Sequence, residues 1–154
     1  MNKFFRILRK TETIITVISM IAFTIVGFLQ VFFRVFLKSP LAWSEEACRY
    51  LFIWSMMLGA ILVAAENGHF RVDFLVSKLP DPLQRITTGL SCLLMAVFSL
   101  LIIYYGYKLM MSNTTRVSPA LGIRMMYIYL IFPINGILVL LHLAEGIVKG
   151  GKEK

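Results

Sequence analysis

The stretch ITTGLSCLLMAVFSLLIIYYGY, residues 86 to 107, runs for 22 residues without an Asp, Glu, Lys or Arg. At about 1.5 Å of rise per residue, a helix of roughly 20 residues crosses the hydrocarbon core of a bilayer. Residues 13 to 33, 50 to 65 and 125 to 144 are charge-free as well, over 21, 16 and 20 residues. The whole chain, 154 residues, is 58% apolar with a mean hydropathy of +0.79. A soluble domain of that size lacks the interior volume to hide so much apolar surface from water. Lipid is therefore the solvent for most of it. The fold class is an all-α integral membrane protein: four transmembrane helices in a single membrane domain, 1–154, with spans at about 13–36, 45–66, 86–110 and 125–147.

The second run is short, but Ser44 offers an N-cap, and a helix from Glu45 to about Glu66 spans the core with charges at both ends. The first run follows Lys3, Arg6, Arg9 and Lys10, as a secretory signal would. Its length exceeds the roughly 7 to 15 residues of a signal h-region and it flows into QVFFRVF, so it reads as a retained helix.

Basic residues set the orientation. Ten of the sixteen Lys and Arg lie in the N-terminal tail, the middle loop (Arg71, Lys78, Arg85) and the C-terminal tail. The other six (Arg34, Lys38, Arg49, Lys108, Arg116, Arg124) fall on the opposite side. The positive-inside rule then places both termini in the cytoplasm. A net charge of +8 is accounted for by basic tails against anionic lipid and calls for no nucleic acid.

With that orientation WSEEACRYLFIW, residues 43 to 54, opens the second helix at the outer interface. Glu45 and Glu46 sit in the first turn, where the helix dipole favours anions, and Glu45 stands four residues before Arg49, the favourable ion-pair order. Trp43, Tyr50 and Trp54 suit an interfacial aromatic belt. Two adjacent carboxylates cannot both face Arg49, so Glu46 is expected to meet a basic group on another chain. Neighbours on a helix point about 100° apart, which argues against a catalytic carboxylate pair. The chain is not read as an enzyme.

Between the second and third helices, residues 70 to 79 interleave Phe70, Val72, Phe74, Leu75, Val76 and Leu79 with Arg71, Asp73 and Lys78. A short interfacial amphipathic helix fits a membrane surface better than an unpaired strand. His69 and His142 fall near the inner ends of their helices, and a pair of axial haem ligands in a dehydrogenase anchor subunit is the alternative reading. Cys48 and Cys92 lie towards opposite faces, so neither a disulfide nor a metal site is expected.

Transporters that work alone carry charged groups at mid-membrane or paired interrupted helices. Here the middles of the spans hold no acid, and Pro133 interrupts only the fourth. Pro133 frees the carbonyl near Tyr129 and kinks that helix, while Asn135 must find a partner in lipid. Ser55 with Gly59, Ala60 with Ala64 and Gly146 with Gly150 form small-xxx-small pairs. Together these features favour an accessory subunit packed against a larger membrane protein.

The run WSEEACRYLFIWSMMLGAILVAAENGHFRVDFLVSKLP, residues 43 to 80, resembles the signature region of the small membrane subunit of tripartite ATP-independent periplasmic (TRAP) transporters, the DctQ-like family. SPALGIRMMYIYLIFPINGIL, residues 118 to 138, is similar to that family's outer loop and Pro-Ile/Val-x-Gly step. The resemblance covers essentially the whole chain. It implies a bacterial inner-membrane scaffold that holds a large M-type subunit of the elevator type, in a secondary active transporter for an organic acid of the C4-dicarboxylate or sialic-acid class. It further implies a periplasmic substrate-binding protein as partner, sodium coupling in the large subunit, and no cofactor in this chain. On that basis Trp43, Glu45, Glu46, Arg49, Tyr50 and Trp54 belong to an outer docking surface, and His69, Arg71 and Asp73 brace the cytoplasmic side.

Overall fold

The computed structural model describes residues 3–39, 41–66 and 81–150. The first helix, α1 (Lys3–Phe36), has 34 residues, about 51 Å at 1.5 Å per residue. It starts ten residues before the expected span, because its basic first turns continue the helix past the roughly 30 Å hydrocarbon core. Threonines within it return their hydroxyls to the preceding turn, Thr16 to the Glu12 carbonyl at 2.8 Å and Thr24 to that of Met20 at 2.9 Å. A polar side chain is thereby satisfied without water. Beyond Phe36, Lys38 takes a left-handed φ of 50° and turns the chain into the next element.

The second helix, α2 (Ala42–Glu66), begins before Ser44. The expectation that Ser44 caps it is corrected: the Ser44 amide and hydroxyl both donate to the Leu41 carbonyl, at 3.1 and 2.8 Å, inside the first turn. Helix α3 (Asp81–Ser112) has 32 residues and outruns the predicted span at both ends. Asn113 closes it by donating Nδ2 to the Leu109 carbonyl at 2.8 Å.

The fourth span is two helices in series, α4 (Met125–Tyr129) and α5 (Ile131–Gly150), meeting at Leu130. Pro133 brings no N–H to the Tyr129 carbonyl, and the next amide, Ile134, reaches the Leu130 carbonyl at a long 3.4 Å. A missing rung at this point accounts for the interruption. The amphipathic segment at 70 to 79 lies outside the described residues.

The helices stand in the order α1, α2, fourth span, α3: α1 packs on α2, α2 on α5, and α5 on α3. Within the most apolar window of each helix, 44% of the fourth span is buried against 6% for α1 and α3. The fourth span is thus interior and the first and third form the flanks. Leu58, Ile61 and Ala64 of α2 meet Ile131 and Val139 of α5 to make the core, with Trp54, Met57 and Phe132 packed around them. Trp54 therefore serves the core and not the interfacial belt. Ser19 and Ser55 share a hydrogen bond of 2.7 Å between α1 and α2.

Close approach between α3 and α5 depends on two glycines. A Cβ on Gly136 would lie 2.6 Å from Ile103 Cγ1 and 2.8 Å from the Ser99 carbonyl oxygen, and one on Gly106 would lie 2.6 Å from Phe132 Cβ. By contrast Gly59, one of the small residues singled out on α2, has open space around it.

Candidate functional site

The start of α2 and the loop between α3 and α4 make one polar assembly at one end of the bundle. Residues 113 to 124 fold back on themselves through the isolated bridge between Val117 and Arg124. The Ser118 amide donates to the Ile123 carbonyl at 2.9 Å, and Gly122, at φ +66°, returns its amide to the Ser118 carbonyl at 3.1 Å. That tight turn points the Ala120 and Leu121 amides at one place. The Glu46 carboxylate occupies it, accepting from both amides at 3.2 Å and from the Ser118 hydroxyl. Convergent backbone N–H groups make a cradle for an anion, and here the anion is the protein's own.

The expectation that no local partner satisfies Glu46 is thereby corrected. A helix turns about 100° per residue, so the two adjacent acids divide. Glu46 is buried against the loop, while Glu45 stays in solvent and pairs with Arg49 at 3.5 Å, both side chains exposed. Tyr50 directs its hydroxyl to the Met125 sulfur at 3.6 Å and ties α2 to α4. Trp43 is exposed beside Glu45 and Arg49, and the loop adds exposed Arg116, Val117, Pro119, Ile123 and Arg124. The structure thus leaves Trp43, Glu45 and Arg49 exposed at the start of α2 and turns Glu46, Tyr50 and Trp54 towards the rest of the bundle.

In the middle of the bundle Asn135 is buried and donates Nδ2 to the Met57 carbonyl at 2.6 Å, joining α5 to α2. Pro133 is buried too, beside Gly106 of α3.

The opposite end of the bundle holds a second polar cluster whose members the sequence reading, His142 apart, did not single out. Nε2 of His142 lies 3.1 and 3.0 Å from the two carboxylate oxygens of Glu12. Nδ1 lies 3.7 Å from Oε2 of Glu145, and Arg9 donates to that same oxygen at 2.9 Å. Glu12, His142 and Glu145 are 4%, 1% and 7% exposed, which makes this the most deeply buried set of ionisable groups among the described residues. The Phe5 ring covers the imidazole at 6.2 Å. A signal was present: Arg9 with Glu12 and His142 with Glu145 are two i,i+3 pairs, each just outside or inside the end of a charge-free run. The 130 residues between Glu12 and His142 kept them apart on paper.

Among the described residues no group of three or more His, Cys, Asp and Glu could hold a metal ion. The haem alternative finds no support: the His142 nitrogen that an axial ligand presents faces Glu12. His69, Arg71 and Asp73 lie outside the described residues. An open groove of about 330 Å³ between α3 and the fourth span, lined by Phe98, Tyr105, Gly106 and Phe132, is almost wholly apolar and holds no charged side chain.

Residues 23–152 match the family model for tripartite ATP-independent periplasmic transporters, DctQ component. A Haemophilus influenzae protein named as a TRAP transporter small permease protein is 36% identical over 75% of this chain and 72% of its own length. The sialic acid TRAP transporter small permease protein SiaQ of Vibrio cholerae is 29% identical over 92% and 82%. The sialic acid TRAP transporter permease protein SiaT of Haemophilus influenzae is 28% identical over 75% of this chain, a match that takes up only 19% of the relative.

Proposed function

From the premise that this chain belongs to the DctQ component family of tripartite ATP-independent periplasmic transporters, we propose that it is a non-catalytic scaffold that holds a large M-type permease subunit in the bacterial inner membrane. The observation that carries this reading is the SiaT match. A region like this chain forms about one-fifth of a single, much longer permease, so the two parts act side by side. The physics of the bundle supports the same role. The hydrogen bonds of its described buried polar side chains stay within the chain, and the most apolar windows of its flanking helices α1 and α3 are only 6% buried inside it. Translocation needs polar groups or interrupted helices that line a path, and those belong to the partner.

The transported compound is an organic acid of the sialic-acid or C4-dicarboxylate class, two of the classes named among the relatives, isethionate being a third. Sodium coupling resides in the large subunit. The outer surface of Trp43, Glu45, Arg49 and the 113 to 124 loop forms part of the face that a periplasmic substrate-binding protein meets, and both termini point to the cytoplasm.

Reconstitution tests this reading. Proteoliposomes holding the large subunit, this chain and the binding protein should accumulate the organic acid down a sodium gradient, and leaving this chain out should abolish uptake. Full uptake without it would overturn the scaffold role. Within the complete system, Glu45→Gln and Arg49→Gln should slow uptake at low binding-protein concentration and leave copurification with the large subunit intact.

A further inference from the structure

Neither the outer docking face nor the ties in the middle of the bundle use the buried pair Glu12 and His142. We propose that this pair is a proton-binding site, and that the bound proton latches the inner half of α1 to the fourth span. Both oxygens of the Glu12 carboxylate face one nitrogen, Nε2 of His142, at 3.1 and 3.0 Å. The side chains are 5% and 0% exposed. Among the described residues that imidazole is the one side-chain partner of the carboxylate.

A neutral imidazole would offer a single N–H to a full negative charge out of reach of water, and a buried charge is tolerated only when paired. One shared proton removes the imbalance, whether drawn as imidazolium beside carboxylate or as neutral ring beside carboxylic acid. The second ring nitrogen, Nδ1, lies 3.7 Å from the Glu145 oxygen, within ion-pair reach of a protonated ring but beyond a hydrogen bond.

Among the described residues the charged groups facing the pair are Arg9 of α1, which binds Glu145 at 2.9 Å, and Glu145 of α5. The described titratable side chains of α2 (Glu45, Glu46, Cys48, Arg49 and Tyr50) all lie at its other end. Helix α1 packs mainly along α2, so this cluster is its tie to the fourth span. The sign follows from the charges. The protonated pair is neutral and holds, and loss of the proton leaves the Glu12 carboxylate against a neutral ring and loosens the inner half of α1, with Arg9 still paired to Glu145. Acid closes the latch and alkali opens it. This inference stands apart from the transport reading, since it concerns contacts within the chain alone.

Two measurements on the full chain in lipid nanodiscs test it. Spin labels at Lys10→Cys and Ala144→Cys, both exposed positions, in a Cys48→Ser, Cys92→Ser background report the separation of the inner ends of α1 and α5. As pH rises the wild-type distance should lengthen and broaden. In Glu12→Gln, which needs no proton for neutrality, it should stay constant. Nitrogen-15 spectra of the histidines, with His142 assigned by its loss in His142→Gln, should show hydrogen on both ring nitrogens in the closed state. If the proton rests on Glu12 instead, an infrared carboxylic-acid band should vanish in Glu12→Gln. A distance that ignores pH in the wild type, or a singly protonated ring beside two ionised carboxylates, overturns the proposal.

Discussion

Glu45 and Glu46 carry identical side chains and differ only by one step of about 100° around α2, and that step sends one to solvent and the other into the 113 to 124 loop. Glu46→Gln keeps the shape but turns a carboxylate oxygen into either a neutral acceptor or an amide donor aimed at the Ala120 and Leu121 amides. Hydrogen bonds to a charged acceptor are roughly twice as strong as neutral ones. Hydrogen exchange at Ala120 and Leu121 should accelerate by about tenfold in Glu46→Gln and remain at the wild-type rate in Glu45→Gln; equal exchange in both variants would refute the division of roles. Asn135 carries a second residue-scale prediction. Its bond to the Met57 carbonyl lies in lipid, where such interhelical bonds contribute about 0.6 to 1.7 kcal/mol. Asn135→Ala should lower stability in a detergent unfolding titration by an amount of that order. The sequence showed that Asn135 needed a partner and that Glu46 could not share Arg49. It could not show which partner each would find, because Ser118 and Met57 lie 72 and 78 residues away.

At the scale of the element, Gly136 and Gly106 set how near α3 and the fourth span can come. The obstruction at Gly136 includes the Ser99 carbonyl oxygen, which is backbone and cannot swing aside. Overpacking of a fitted interface costs about 1 to 3 kcal/mol. Gly136→Ala should therefore lower the thermal midpoint clearly, and Gly59→Ala, with nothing within 4 Å, should leave it unchanged or raise it slightly by removing a helix-interior glycine. Thermal unfolding of both variants in one detergent decides this, and a stable Gly136→Ala would mean the helices are farther apart. Small-xxx-small spacing found residues on α2 that matter unequally: Ser55 meets Ser19 and Ala64 is core, whereas Ala60 is exposed. Glycine spacing reports that close approach is permitted, and only the rotation of each helix decides whether it happens. The break at Leu130 was more legible, since proline removes a specific donor whatever the surroundings.

For the molecule as a whole, the number of spans follows from hydropathy, but the order α1, α2, fourth span, α3 does not. Every span is apolar on all sides, so no stripe marks which face meets protein and which meets lipid. The row has a mechanical consequence for a scaffold. A slab of helices widens the base of a larger subunit most when it attaches by an edge, and its edges are α1, with exposed Phe28, Phe32 and Phe36, and α3, with exposed Leu94, Phe98 and Leu101. The interior position Ile131 is wholly buried and out of a partner's reach. A photoreactive residue placed at Phe28 or at Phe98 in the assembled transporter should cross-link to the large subunit from one edge and to lipid from the other, and the same probe at Ile131 should capture only this chain. Cross-links from neither edge would mean that the partner covers a broad face of the row. The exposed residues Ile137 and Leu141 of α5 are where a repeat of the experiment would then find it, and the widened base would give way to a stacked pair of slabs.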